Sequence, residues 1–181
     1  MKQFLIITFL GWIPFISFSQ SLEKENEFGF AINSSFNGEI YPIRIVPSII
    51  YFNENNQFEI GFGFNPSNRQ NQKLLSTEIN YKYFPNGHSR KFNMFLITSL
   101  SYIHSKKNSF YPSNYNYLFV NGGYGFEIVP FKNAFIGTNI SLGAFTYDKK
   151  SEIPYDAFKT EKLFHEIDLN LAFQFSVGYR L

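Results

Sequence analysis

The histidines His88, His104 and His165 are the side chains of this 181-residue chain best suited to proton transfer near neutral pH. His104 stands next to Ser105, a base beside a hydroxyl nucleophile, which is the minimum equipment for acyl transfer. Adjacency on a strand works against that chemistry, because successive side chains point to opposite faces. His88 follows Pro85, Asn86 and Gly87 and reads as a solvated turn residue. No metal-ligand spacing, phosphate loop or nucleophile elbow occurs, and a cysteine count of 0 removes thiolate ligands and disulfides. Gly122-Gly123-Tyr124-Gly125 has the composition of a glycine loop. No helix follows to present an N-terminus to a phosphate, so close packing within a strand accounts for it better. No cofactor is expected.

Charged residues form the second group. Glu27, Arg44, Glu59, Glu78, Lys82, Glu127, Glu166, Asp168 and Arg180 all fall at the polar parity of alternating segments. On one enclosed face they must form ion pairs, because unpaired charge in a narrow interior is expensive. A polar plug is the expected result, and an ion path or proton relay is the functional alternative.

The elements that position these residues are strands. Period-two alternation, bounded by turn residues, recurs at about 27–36, 41–52, 57–65, 74–85, 92–104, 117–130, 134–146 and 162–181. The last is the clearest: His165, Ile167, Leu169, Leu171, Phe173, Phe175, Val177, Tyr179 and Leu181 share one face, and Glu166, Asp168, Asn170, Ala172, Gln174, Ser176, Gly178 and Arg180 share the other. It is longer than the five or six residues usual in globular sheets, whereas tilted strands crossing a bilayer need about 9–11. Pro42 and Pro47 make the second strand the weakest of the set, since each removes a ladder donor. Connections alternate in length. Compact turns at 53–56, 85–91 and 130–133 face longer polar loops at 65–73, 105–116 and 147–161, with 37–40 a short exception. Short turns on one rim and long loops on the other is the pattern of outer-membrane barrels.

Composition agrees. Aromatic residues make up 20% of the chain, with 24 Phe and 12 Tyr, more ring surface than water tolerates without burial or lipid. A net charge of +2, with no basic run, gives no reason to expect a nucleic-acid partner. The first segment reads as a leader over 1–19: Lys2 supplies a positive start, Phe4 to Ile16 an apolar run broken at Pro14, and Ser17-Phe18-Ser19 small residues at a cleavage site. The mature domain is then 20–181, delivered beyond the inner membrane.

Alternation alone does not say whether the apolar face points to lipid or to a soluble core, as in a lipocalin. The polar face decides. It is dominated by small residues such as Gly61, Gly63, Ser76, Asn80, Ser101, Gly123, Gly125, Ser141 and Gly178, which suit the crowded inside of an eight-stranded barrel. Tyr51, Tyr81, Tyr83, Tyr102, Tyr117 and Tyr179, near strand ends, are candidates for interfacial girdles.

The leader, the even strand count and the ending Phe173-Gln174-Phe175-Ser176-Val177-Gly178-Tyr179-Arg180-Leu181 resemble the small eight-stranded OmpA/OmpX-type outer-membrane barrels. The resemblance implies an all-β fold: an antiparallel up-and-down transmembrane β-barrel, porin-like in family, in the cell outer membrane. It implies outer-membrane lipid and the barrel-assembly machinery as partners, the latter reading Phe173, Phe175, Val177, Tyr179 and the unusual terminal Leu181. Some similar barrels are lipid A deacylases, whose His-x-Ser lies on a lipid-facing strand; here His104 and Ser105 are adjacent instead. A non-enzymatic protein is therefore expected, anchoring exposed loops for envelope integrity or surface contact. Phe110, Tyr111, Tyr115, Tyr155 and Phe158 are the candidate loop contacts to a ligand that is not named by the sequence. A lipid-modifying enzyme and a narrow pore are the alternatives. Three structural expectations follow from the phase: Tyr179 and Leu181 face lipid while Arg180 faces the lumen; Ser109 to Tyr115 is dispensable loop; and Glu27 pairs with Arg180 across the seam, with Glu127 as competitor.

Overall fold

The computed structural model describes residues 26–38, 40–66, 72–107, 112–151 and 161–181. The expected leader and the loop residues Phe110, Tyr111, Tyr155 and Phe158 lie outside the described residues. Eight strands are present among the described residues: β1 (Asn26–Asn37), β2 (Ile40–Asn53), β3 (Asn56–Phe64), β4 (Gln72–Tyr83), β5 (Phe92–Lys107), β6 (Ser113–Ile128), β7 (Ala134–Ser151) and β8 (Asp168–Arg180). Each pairs antiparallel with its chain neighbour, and β1 returns to β8 to close the barrel. The seam runs in unbroken register from Gly29 opposite Arg180 to Asn37 opposite Ala172. Closure leaves no edge carrying unpaired backbone groups, the condition for a sheet to sit in hydrocarbon.

Alternation fixes which side chains face where. On β4, Gln72, Leu74, Ser76, Glu78, Asn80 and Lys82 are buried in the lumen, while Lys73, Leu75, Ile79, Tyr81 and Tyr83 are exposed outside. Around the barrel the outer surface is apolar: Phe30, Ile32, Ile49, Phe62, Leu100, Val120, Leu142, Leu171 and Phe173 are all exposed, Phe62 and Leu142 at 68% each. A continuous apolar girdle of this kind is out of place in water and suited to lipid. The small-residue face is the inner one, as the sequence requires. Gly123 is a position where glycine is required, because a Cβ there would drive into the carbonyl of Ile140 and the backbone of Ser141 on β7. Its neighbour Gly122 points outward, where a Cβ would meet only the Ile97 carbonyl at 3.9 Å, an ordinary contact.

Several boundaries differ from the sequence reading. β5, β6 and β7 run past the bilayer-facing alternation to Lys107, Ser113 and Ser151, so part of each expected long loop is ladder. Ser113, Asn114 and Tyr115 are therefore strand residues, and deleting Ser109 to Tyr115 would shorten a hairpin of the scaffold instead of trimming a loop. We expect that deletion to lower the urea midpoint of the folded barrel in vesicles; an unchanged midpoint would show that the extension adds no stability. β8 starts at Asp168 and not at 162, since Phe164 takes a left-handed φ of 66° in the preceding turn. Pro47 is accommodated as expected of a missing donor: the β2–β3 ladder is interrupted at Val46 and Pro47 and resumes in the same register on both sides. Tyr51, Tyr81, Tyr83, Tyr102 and Tyr179 sit at outward-facing positions, but Tyr117 does not belong to a girdle. It shares parity with Asn121 and is buried in the lumen.

Candidate functional site

The lumen is filled in three tiers. At the rim carrying the short turns and the C-terminus, taken as periplasmic from that pattern, Arg180 forms an ion pair with Glu127. The guanidinium lies 4.9 Å from the Phe52 ring and 5.4 Å from that of Phe135, sandwiched by cation–π contacts. Its Nη1 donates to the His88 carbonyl at 2.8 Å. In the middle, Lys82 Nζ lies 3.2 Å from Glu59 Oε2 and 5.2 Å from the Phe95 ring. Arg44 Nη2 lies 2.8 Å from Glu78 Oε1 and donates to Asn37 Oδ1 at 2.6 Å. Ser35 and Gln174 donate to the other Glu78 oxygen at 3.3 and 3.4 Å. Asn33 donates to Glu59 and to Ser48. Near the opposite rim, Leu74, Ile103, Tyr117, Phe119 and Phe145 form an apolar plug capped by Tyr115 and Tyr147.

This arrangement corrects the expected network at three points. Arg44, Glu59, Glu78, Lys82, Glu127 and Arg180 are lumenal and paired. Glu166 and Asp168 are not part of it: both are exposed at the far rim, Glu166 ahead of β8 and Asp168 at its first residue. Glu27 shares the inward parity and contributes to the field at Arg180, but the ion pair of Arg180 is with Glu127, across the lumen from a non-adjacent strand. The seam is held by its ladder and not by a Glu27–Arg180 pair. Tyr179 and Leu181 face outward while Arg180 faces inward, as the phase requires, and Phe173, Phe175 and Val177 are exposed with them.

The histidines separate. His104 faces outward, and its Nδ1 lies 2.8 Å from Asn116 Oδ1, which also accepts from the Tyr102 hydroxyl at 2.9 Å. Ser105 is fully buried on the inner face, where its hydroxyl accepts from Gln72 at 2.6 Å. The two do not meet. His165 is exposed in the turn before β8. Among the described residues no three His, Cys, Asp or Glu side chains gather as a metal site.

His88 is the residue whose role the sequence reading missed. It is no mere solvated turn residue: its ring stacks 5.2 Å from Phe52 and packs edge-on 6.2 Å from Phe84, and Nδ1–H donates to the Glu54 carbonyl at 2.7 Å. Burial, and then the nearby Arg180 charge, lowers its pKa, with the Glu54 hydrogen bond and Glu27 acting in the opposite sense. Neutral His88 therefore belongs to the folded state, and the unfolded chain takes up the proton more readily. Its stabilising contribution is complete above the ordinary imidazole range and declines as pH falls through that range towards the lower folded value. We expect His88→Gln to remove this component, flattening the urea midpoint of vesicle-inserted barrel between neutral and mildly acidic pH. A His88→Gln profile parallel to wild type would assign the acid sensitivity elsewhere.

No family model matches the chain, and no curated protein matches it. Solved structures do. The N-terminal β-barrel domain of Pseudomonas aeruginosa OprF is similar with a TM-score of 0.63 at 11% identity, covering 87% of this chain and 98% of that one. A major outer membrane protein from Thermus thermophilus is similar with a TM-score of 0.50 at 9% identity, covering 86% and 99%. At such identities the shared property is the fold, that of small eight-stranded outer-membrane barrels.

Proposed function

We propose that the chain is an integral outer-membrane protein, exported by its leader, whose barrel is a non-enzymatic anchor holding loops at the surface for envelope integrity or contact with a ligand. The observation that carries this reading is an apolar outer girdle around a lumen filled by apolar clusters towards both rims and by buried ion pairs between them. A lumen packed in this way points to the outer surface and the rims as the working parts. Outward-facing Phe173, Phe175, Val177, Tyr179 and Leu181 are the residues we assign as the signal to the barrel-assembly machinery. Fractionation followed by gel electrophoresis of unboiled and boiled samples tests the proposal. Recovery in the outer membrane with heat-modifiable migration is expected, and recovery as a soluble periplasmic protein would refute it.

The alternatives meet specific obstacles. A pore would have to pass the Arg44–Glu78 tier, where the cavity beside the pair measures only about 20 Å³, room for roughly one water. No discrete conductance steps are expected in planar bilayers. A deacylase of the His-x-Ser kind would need His104 and Ser105 on one face, and the barrel wall separates them. His104→Ala is expected to leave the acylation of membrane lipid unchanged, and a change would restore the enzymatic reading.

A further inference from the structure

Short side chains underfill the lumen beside its central ion pair. Asn80 on β4 stands opposite Ser99 on β5, Ser99 opposite Asn121 on β6, and Glu78 opposite Ser101, all at inward parity. An eight-stranded interior is just wide enough for side chains to fill it, so serines at successive rows leave a space. That space is the cavity of about 20 Å³, and Arg44, Asn80, Ser99, Ser101, Asn121 and Ser141 are among its walls. Two hydrogen-bond donors on these walls are unmet. Arg44 uses Nη2 on Glu78 and Asn37, at 2.8 and 2.6 Å, but its Nη1 has no hydrogen-bond partner among the described residues. Neither has Asn80 Nδ2. Both residues are only 2% exposed. Leaving such donors unpaired is costly, so a small partner in the cavity is stabilised.

Size and charge identify the partner. Room for about one water excludes an organic molecule. An anion would bring unbalanced charge to a region where Glu78 already neutralises Arg44, and Glu59 neutralises Lys82 at 3.2 Å. A metal cation would meet the two unmet donors instead of ligands. A neutral group that accepts from both and donates in return meets every condition. The acceptor is at hand: Glu78 Oε1 is in ionic contact with Arg44 yet lacks an aligned hydrogen bond. Glu78 and Asn80 are two residues apart on β4, which makes them neighbours on its inner face. We propose that this cavity is a binding site for one long-lived water, held by Arg44 Nη1 and Asn80 Nδ2 with Glu78 as its acceptor. The site is built from the lumen alone and does not depend on the membrane around the barrel.

The test is oxygen-17 relaxation dispersion of water around the barrel in detergent micelles, which reports waters held for a long residence time. Wild type is compared with Asn80→Leu, so that waters elsewhere in the lumen cancel. Asn80→Leu removes a donor and fills the space, and the dispersion amplitude should fall by the equivalent of about one water. Its urea midpoint should fall too, because Arg44 Nη1 loses its partner. Asn80→Ser keeps a donor in a roomier cavity and should retain the water. A second reading needs no variant: in wild type the Asn80 side-chain amide protons should show a nuclear Overhauser effect from water with the sign of a long-lived complex. Replacing chloride by sulfate should leave both readings unchanged, and a halide-dependent midpoint would give the site to an anion and overturn the proposal. Absence of the Overhauser effect, or an amplitude untouched by Asn80→Leu, would overturn it as well. So would a midpoint raised by Asn80→Leu, since removing a donor that is dry relieves its desolvation cost.

Discussion

Glu78→Leu should cost the barrel about 3–5 kcal/mol, because it leaves the Arg44 guanidinium buried in the middle of the lumen without its carboxylate. The loss is expected to come from desolvation more than from the lost attraction. Restoring neutrality with Arg44→Met in the same chain should therefore recover most of the stability, although the Arg44 hydrogen bond to Asn37 goes with it. Urea unfolding of the two single variants and the double variant in vesicles forms the cycle that measures this. Strictly additive effects would mean that the two charges do not depend on each other. A Glu78→Leu barrel as stable as wild type would mean that water reaches Arg44 freely and that this tier does not seal the lumen.

The second large effect is expected at neighbouring glycines with opposite fates. Gly123→Val places branched carbons against the backbone of β7 at Ile140 and Ser141, which cannot yield without opening the β6–β7 ladder. A cost of about 3 kcal/mol or more is expected, at the upper end for overpacking. Gly122→Val points outward, where an added Cβ makes only an ordinary contact with the Ile97 carbonyl, and a strand gains from β-branching. That variant should be neutral or slightly stabilising. Equal penalties at the two positions would contradict the assignment of faces along β6.

These two predictions show which features were legible in the sequence. Period two survives in every strand because the lumen and the lipid demand opposite chemistries, so eight strands and their phase could be read directly. The extensions of β5, β6 and β7 could not. Lys106, Lys107, Asn114 and Tyr115 lie above the apolar girdle, where ladder and loop have similar composition, and only pairing distinguishes them. The apolar contents of the lumen were hidden for a different reason. Phe52, Phe95, Phe119 and Phe135 occupy inward positions interleaved with polar residues such as Ser48, Asn93, Asn121 and Asn139. Parity with neighbours such as Asn121 would have placed Phe119 inside, but a hydrophobic residue at a polar position looks like noise until a plug is in view. Arg180 illustrates the third limit. Its partner Glu127 is on a strand that does not touch β8 through the ladder, and no spacing rule reaches across a lumen.

Phe119 and Val120 provide the most direct measurement of the central claim, that the apolar face meets lipid while the inner face packs on itself. They are adjacent on β6 and so lie at nearly the same depth, with Phe119 fully buried inside and Val120 53% exposed outside. Trp12 is the chain's sole tryptophan, so a Trp12→Phe background allows one reporter at a time. Phe119→Trp and Val120→Trp barrels would be inserted into vesicles whose acyl chains carry bromine, a contact quencher of indole fluorescence. Strong quenching at 120 and little at 119 is expected. Equal quenching at both positions, or stronger quenching at 119, would contradict it.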